Sequence, residues 1–583
     1  MRKLGNGGTV GFARRLVFIL AIFSGSTIFP QQPPAQQAPL PASATTVRKA
    51  THLVLVDVVV YDKHGKHVPN LTAADFTLRD RGRQQDIAVF SNEHAGESVV
   101  EKAPPPALPP DVFTNRPEYY RVEGSPTVLL LDGLNTAVAD QQSSHDYMLQ
   151  YLRTQLKEGQ KTAIFALNNS LLLLQDFTTD PRFLIAALDK NVPKASWELS
   201  GPGVTVLSPL EARDLPKKVI DNLDQLNQTN AAASMDARVH ITLAALRSIA
   251  RALGGIPGRK NLIWVSSAFP FSLVFSSSKY FDENRSYGDE LRRTSELLAS
   301  ARVAVYPVDA RGLTTHPIDD GSKPSGLVET VGPPSGMRSV EEQLANNPET
   351  ALSSHSTMED VAKRTGGLAF YNQSDISHAV ALSAADGGSY YTLGYYPDGG
   401  NWDGKFRRIE VKVAGHGMEA RYRSGYFAVD DAQTHASESP EQREQRAFKE
   451  LRDALADPLP ATQVTFRAHI PDIQPAAKAQ VQIQFLVDTS SISFDGVEAG
   501  RPHCNLDFMV AATSAEGRIM ALDGRTVDAE LKPDRYTQAT QRGLPFSMPL
   551  GLAPGSYSLR LAIRDRPTGQ IGTLTIPLTV PAP

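Results

Sequence analysis

The sequence predicts an α/β protein, with a doubly wound domain set among β segments and an all-β domain behind it. Three observations predict this. Between Ser125 and Pro397, short apolar runs alternate with amphipathic stretches, the order of a mostly parallel sheet covered by helices on both faces. On either side of that region, in His52–Ser91 and Phe406–Phe427, apolar and polar residues alternate with the period of a strand. From Pro460 onward, strand-like runs recur with turn signals between them, as in a sandwich of immunoglobulin-like type. The 583 residues are enough for several cores.

The expected boundaries follow the composition. Residues 1–26 read as an export signal: Arg2, Lys3, Arg14 and Arg15 precede the apolar Leu16–Phe23, and Ser24-Gly25-Ser26 offers a small-residue cleavage site. That apolar run is too short to span a bilayer, so no transmembrane segment is expected once it is cleaved; retention as an anchor is the alternative. Residues 27–48 form a Pro/Gln-rich linker. Residues 49–100 are an N-terminal β segment, and 120–397 the α/β domain. Residues 404–430 supply strands that pair with the N-terminal segment. A charged connecting helix covers 437–457 and the C-terminal sandwich 460–583.

Within the α/β domain, Val128–Leu131 is the first buried strand and Gln141–Leu156 an amphipathic helix. Lys161–Leu167 and the leucines after Asn168–Ser170 suggest a hairpin that leaves one antiparallel strand at an edge. Asp180-Pro181 opens a helix with an N-cap acid and proline at the first position. Val192–Ala233 reads as irregular. Met235–Leu253 is a helix stopped by Gly254-Gly255, and Asn261–Ser267 and Arg302–Ala310 are strands. Arg311–Glu349 is a long Gly/Pro-rich loop. Two more helices lead to a last strand in "SYYTLGYYP".

Net charge is −4, so no nucleic-acid footprint is present. The lone cysteine, Cys504, forms no intrachain disulfide and sits in a strand-like run, where a buried small hydrophobe is the simple reading. His64 and His67 flank one turn and are too few for a metal site. There is no G-x-S-x-G, H-E-x-x-H or P-loop pattern.

Chemistry concentrates at the strand ends. Asp132, Ser266, Ser267 and Asp309 close buried runs, where sites of doubly wound sheets form. A carboxylate there needs a partner. Asp132 either coordinates a cation or caps the helix that follows, through the Asn135 and Thr136 backbone.

The order of "NLTAADFTLRDRGRQQDIAVF", "LLLDGLNT", "GIPGRKNLIWVSSAFP", "VAVYPVDARGL", "VAKRTGGLAFYNQSDISHAV", "SYYTLGYYP" and "FRRIEVKVAGHGMEARYRSGYF" resembles the von Willebrand factor type A domain. More closely, it resembles the related family typical of secreted acidobacterial proteins. The resemblance runs from about His52 to Phe427. It implies a divalent-cation site built from Asp-x-Ser-x-Ser, a later Thr and a later Asp. Asp132 and Thr136 match that pattern; Leu134 replaces the first Ser, and Ser267 stands at the second Asp. The Thr falls in the irregular region, where Thr205 and Thr229 are candidates. Asp132, Thr136 and Ser267 would hold Mg²⁺ or a similar ion only weakly.

The resemblance implies an exported, periplasmic or envelope protein that grips a protein or envelope partner. The expected face comprises Asp132, Asn135, Thr136, Ser266, Ser267, Phe269 and Asp309, with the apolar Ala268–Phe275 as a contact patch or a buried strand extension. An envelope enzyme with an unrecognised site in the same loops, and a structural scaffold, are the alternatives.

Overall fold

A computed structural model describes residues 53–94, 105–120, 125–194, 216–269, 287–312, 348–373, 375–397, 403–429, 439–497 and 500–583. The expected export signal, the Pro/Gln-rich linker, Thr205, most of Ala268–Phe275 and most of Arg311–Glu349 lie outside them.

In chain order, the first strands are β1 (Val54–Tyr61), β2 (Phe76–Asp80), β3 (Arg83–Gln85), β4 (Val89–His94) and β5 (Val112–Thr114). The α/β part follows as β6 (Thr127–Asp132), α1 (Val138–Thr154), β7 (Thr162–Leu167), β8 (Leu171–Thr178), α2 (Pro181–Lys190) and α3 (Lys217–Leu253). It continues with β9 (Lys260–Ser266), α4 (Gly288–Ser300), β10 (Val303–Asp309), α5 (Pro348–Thr365) and α6 (Ile376–Ala385). Then come β11 (Ser389–Tyr395), β12 (Asp403–Val413), β13 (Glu419–Arg421), β14 (Gly425–Val429) and α7 (Pro440–Ala456). The last part holds β15 (Phe466–His469), β16 (Ala479–Val487), β17 (His503–Thr513), β18 (Ile519–Glu530), α8 (Pro533–Arg542), β19 (Leu544–Leu552), β20 (Gly555–Asp565) and β21 (Ile571–Val580).

The central sheet has the order β10-β9-β6-β7-β8. Strands β10, β9, β6 and β7 are parallel, and β8 is an antiparallel edge formed by the tight turn at Asn168–Ser170. Every residue of β6, β7, β9 and β10 is buried, as expected of strands covered on both faces. The pleat divides them. Val128 and Leu130 pack with Val239, Leu243 and Leu246 of α3 and Leu298 of α4. Leu129 and Leu131 pack with Met148, Tyr151 and Leu152 of α1, Leu184 and Leu188 of α2 and Val380 of α6. Each such side chain contributes roughly 1.5–3 kcal/mol. Asp180 caps α2 by accepting the Arg182 N–H at 2.9 Å, with Pro181 in the first turn.

Three expectations need correction. The strand in "SYYTLGYYP", β11, is not part of the α/β sheet. It pairs antiparallel with β1 and β4, because its two faces bury tyrosines, Leu393 and Thr392 inside a β layer. Helix α3 begins at Lys217, not Met235; its first turns carry exposed polar residues with few apolar ones and so show no periodicity. The Pro-rich Glu101–Pro110, which reads as a linker by composition, is not followed by a plain connector either, since β5 joins the C-terminal sandwich beside β15.

The N-terminal strands and the strands after the α/β part are interleaved. One sheet is β13-β1-β11-β4 and the other β14-β12-β2-β3. They share one core of Val54, Val56, Val58, Phe76, Leu78, Tyr391, Leu393, Ile409, Val411 and Tyr426. The C-terminal sandwich faces β19-β16-β15-β5 against β18-β17-β20-β21, with Val481, Phe485, Phe508, Leu561 and Ile576 between them. Cys504 is buried in β17, and burial pushes its thiol up to about 11, as befits an inert core residue.

Candidate functional site

The site grows from the end of β6. Strand pairing carries Asp132 to the carboxyl edge of the sheet between β7 and β9. There the chain must turn sharply into α1. Gly133 allows the turn: a Cβ on it would lie 2.5 Å from Asn168 Oδ1. Leu134 turns into the core, and its N–H donates to Leu167 O at 2.9 Å.

Asp132 is buried and satisfied from within the protein. Oδ1 accepts from the Asn135 backbone N–H at 2.9 Å. The Asn135 side-chain Nδ2 donates to both carboxylate oxygens, at 3.2 and 2.9 Å. Oδ2 also accepts from Trp264 Nε1 at 2.9 Å. Burial pushes the Asp132 carboxyl above the usual range, opposed by the bonds from Asn135, Trp264 and Ser266. Asn135 is the pivot of the network. Its Nδ2 also donates to Thr242 Oγ1 at 2.9 Å, and its Oδ1 accepts from Arg238 Nε at 2.9 Å. The Arg238 donor fixes which end of the amide is oxygen.

The other expected residues lie around this pivot. Thr136 Oγ1 accepts from the Ser267 N–H at 3.1 Å, and Ser267 Oγ accepts from the Ala137 N–H at 3.4 Å. Ser266 Oγ donates to Ala268 O at 2.8 Å. Phe269 stands edge-on to Trp264 with ring centroids 4.6 Å apart. Asp309 belongs to a neighbouring cluster. It accepts from Arg311 Nη2 at 2.7 Å and pairs with His355 Nε2 at 3.1 Å. Burial pushes Asp309 up, but His355 and Arg311 outweigh it and hold the carboxyl below its usual range. Asp140 lies between the two clusters. Burial raises its carboxyl, while Ser267 and Arg311 pull it down.

Asp132, Asn135, Thr136, Ser266, Ser267, Phe269 and Asp309 are all buried. The set expected to face a partner is therefore the floor beneath that face, because its polar atoms are turned to one another. Val138 and Ala139, in the first turn of α1, and Asn169, in the β7–β8 turn, are exposed beside it. Thr229 is elsewhere: it is exposed on α3 and bonds back to Gln225 O.

The donor set does not fit a divalent cation. A cation needs the Asp132 oxygens that N–H groups of Asn135 and Trp264 already fill, and Asn135 turns its amide nitrogen to the carboxylate. Thr136 Oγ1 and Ser267 Oγ are both engaged with the backbone. Among the described residues no group of three or more His, Cys, Asp or Glu side chains converges as a metal site. A cavity of about 30 Å³ adjoins Asp132, Gly133, Thr136, Gln141, His145 and Asn168, room for a water or two rather than a substrate. Gln141 closes it, donating to Thr136 O at 2.8 Å and Lys194 O at 3.0 Å. Arg238, Thr242, Trp264 and Gln141 escape a reading of the sequence. Arg238 and Thr242 stand four apart on one helix, which marks a shared face and nothing more.

No family model matches the chain, and no curated protein matches it. Among solved structures, it is similar to an aerotolerance-related membrane protein from Bacteroides fragilis NCTC 9343, carrying multiple mutations to serine. That match has 11% identity and a TM-score of 0.24, and covers 45% of this chain and 98% of that one. BatB from Bacteroides thetaiotaomicron gives 11% identity, TM-score 0.22, and coverage of 45% and 98%. The vWF domain of the type V pili tip protein Mfa5 from Porphyromonas gingivalis gives 15% identity, TM-score 0.15, and coverage of 25% and 39%. Likeness at this level assigns no activity; the class, a doubly wound α/β domain among β sheets, rests on the strand order itself.

Proposed function

We propose that this chain is an exported protein-binding module of von Willebrand factor type A-like design. Its partner docks on the loops at the carboxyl end of the β10-β9-β6-β7-β8 sheet, without a bridging cation. One observation carries this reading. The strand-end carboxylate is held by Asn135 and Trp264, and Asn135 in turn by Arg238. The loop after β6 is thus tied to β9 and α3 by protein donors, where a cation-dependent site would leave an open coordination position. Loops on a rigid floor are the usual carriers of binding. No helix among the described residues is long and apolar enough to cross a membrane.

The test has two arms. Thermal unfolding of the chain is followed with Mg²⁺, Mn²⁺ and Ca²⁺ and with EDTA; a native state that binds an ion is stabilised by it. No shift is expected. Capture of envelope proteins is then compared between wild type and Val138→Arg/Asn169→Arg, one at the exposed start of α1 and one in the exposed β7–β8 turn. EDTA-insensitive capture that the double variant loses supports the reading. A cation-dependent melting shift, or capture indifferent to the double variant, overturns it.

A further inference from the structure

Strand β18 is a terminal strand of its sheet, with β17 on one side and no strand among the described residues on the other. A long edge strand is a template for pairing unless it is blunted. This one has twelve residues, paired to β17 with one register shift, near Ala512–Thr513, and exposes Ile519 (59%), Met520 (56%) and Leu522 (44%).

Its two faces are distinct. Ala521 and Val527 pack against the sandwich core, so the odd-numbered residues from Ala521 to Ala529 point inward, while the bulge before Ala521 sets Ile519 opposite Thr513 on the other face. The even-numbered residues point outward, where the ring of Phe448 from α7 lies on Gly524; a Cβ there would be 2.7 Å from Phe448 Cζ. Phe448 is itself 40% exposed. A glycine weakens a strand, and an aromatic ring laid over it is a known compensation.

We infer that β18 pairs antiparallel with β18 of a second copy of this chain about a twofold axis at Gly524. Charge complementarity selects both the occupant and the register. With the axis at Gly524, Asp523 faces Arg525 of the second copy, and Arg525 faces its Asp523. Ala521 faces Val527, so the inward face from Ala521 to Val527 is matched, apolar with apolar and acid with base. Moving the axis two residues either way sets Asp523 against an alanine and takes Arg525 away from its acid. On the outward face the two Phe448 rings, each above its own Gly524, come together across a strand spacing of about 4.8 Å, within the range of aromatic pairs. A closed twofold contact of this kind is self-limiting. The inference is independent of the strand-end reading above.

Sedimentation equilibrium of the full chain tests it. Wild type is expected to form a reversible dimer over roughly the micromolar to 100 µM range of modest interfaces. Arg525→Asp sets like charges opposite each other twice and is expected to weaken the dimer about tenfold or more. The swap Asp523→Arg/Arg525→Asp restores the pairing and with it the dimer. Both positions are substantially exposed, so the fold should tolerate the changes. A second readout needs no variant: amide exchange along 519–530 slows as wild-type concentration rises. A monomer throughout, a dimer that ignores Arg525→Asp, or a swap that fails to restore dimerisation overturns the inference.

Discussion

At the scale of single residues, Asn135 matters more than the acid it serves. It donates to Asp132 and Thr242 and accepts from Arg238, all buried. Asn135→Ala leaves a buried carboxylate and a buried guanidinium short of partners, an expected loss of about 2–4 kcal/mol. Trp264→Phe keeps the ring against Phe269 and removes one donor, an expected loss of about 1–2 kcal/mol. Urea denaturation of the two variants checks this order; equal losses would show that Asn135 is no pivot. Lys260 gives a pH signature. It is buried at the start of β9, where Nζ donates to Ile256 O at 2.6 Å, and burial, aided by the Arg302 charge, pushes its amine down to about 7. Between that value and the ordinary lysine range the unfolded chain holds a proton that the native state lacks, so stability rises with pH there. Lys260→Met should lose that slope between about pH 7 and 10; parallel stability curves for the two proteins would refute it. Asp132 was legible in the sequence because a buried run ends on it. Its partners were not, since Arg238 lies 103 residues from Asn135 and Trp264 132 residues from Asp132.

At the scale of elements, legibility follows burial on two faces. Strands β6, β7, β9 and β10 read as continuous apolar runs because helices cover both sides of them. Strand β11 reads the same way, yet it sits in an antiparallel layer. Local composition records that a strand is buried, not which sheet buries it. Helix α3 shows the opposite case. Its N-terminal part has exposed Val219 and Leu226 and little packing, whereas Val239, Leu243, Leu246 and Ile249 are buried. No proline or glycine interrupts Lys217–Leu253, so propensity continues the helix past the point where periodicity ends. Amides of residues 220–233 are therefore expected to exchange much faster than those of 243–253, which should open only with the domain. Uniform protection along α3 would show that something covers its first turns.

At the scale of the whole molecule, the chain stitches its parts together by returning to them. Asp386, at the end of α6, accepts from Tyr61 and from Arg421 of the first sandwich, and from Tyr306 of β10. Arg302 at the start of β10 pairs with Asp57 of β1. The C-terminal sandwich is tied differently. Strand β5 is an edge of it, though about 350 residues separate it from its partner β15 in sequence. Asn115, just after β5, donates to Ala461 O at 3.0 Å and Val464 O at 2.9 Å, and accepts from the Phe466 N–H at 2.9 Å. Its side chain replaces backbone pairing that the sandwich cannot supply for itself. A three-residue strand beside a Pro-rich stretch carries too little pattern to be read as part of a distant sheet. The consequence is testable by dissection. A fragment of residues 437–583 keeps every other strand but uncovers the β15 edge and takes the Asn115 side chain from Val464 O and the Phe466 N–H, while Ala461 O keeps the Thr573 N–H at 2.9 Å. It should unfold several degrees below the same sandwich in the full chain, since about 1–3 kcal/mol attaches to each stranded group. A synthetic peptide of residues 105–118 should raise its melting temperature with the logarithm of its concentration above Kd, as ligand linkage requires, and the same peptide with Asn115→Ala should do so far less. Calorimetry of the fragment with each peptide decides the matter: a fragment as stable alone as in the full chain would mean that β5 is an ornament on the sandwich rather than a strand it depends on.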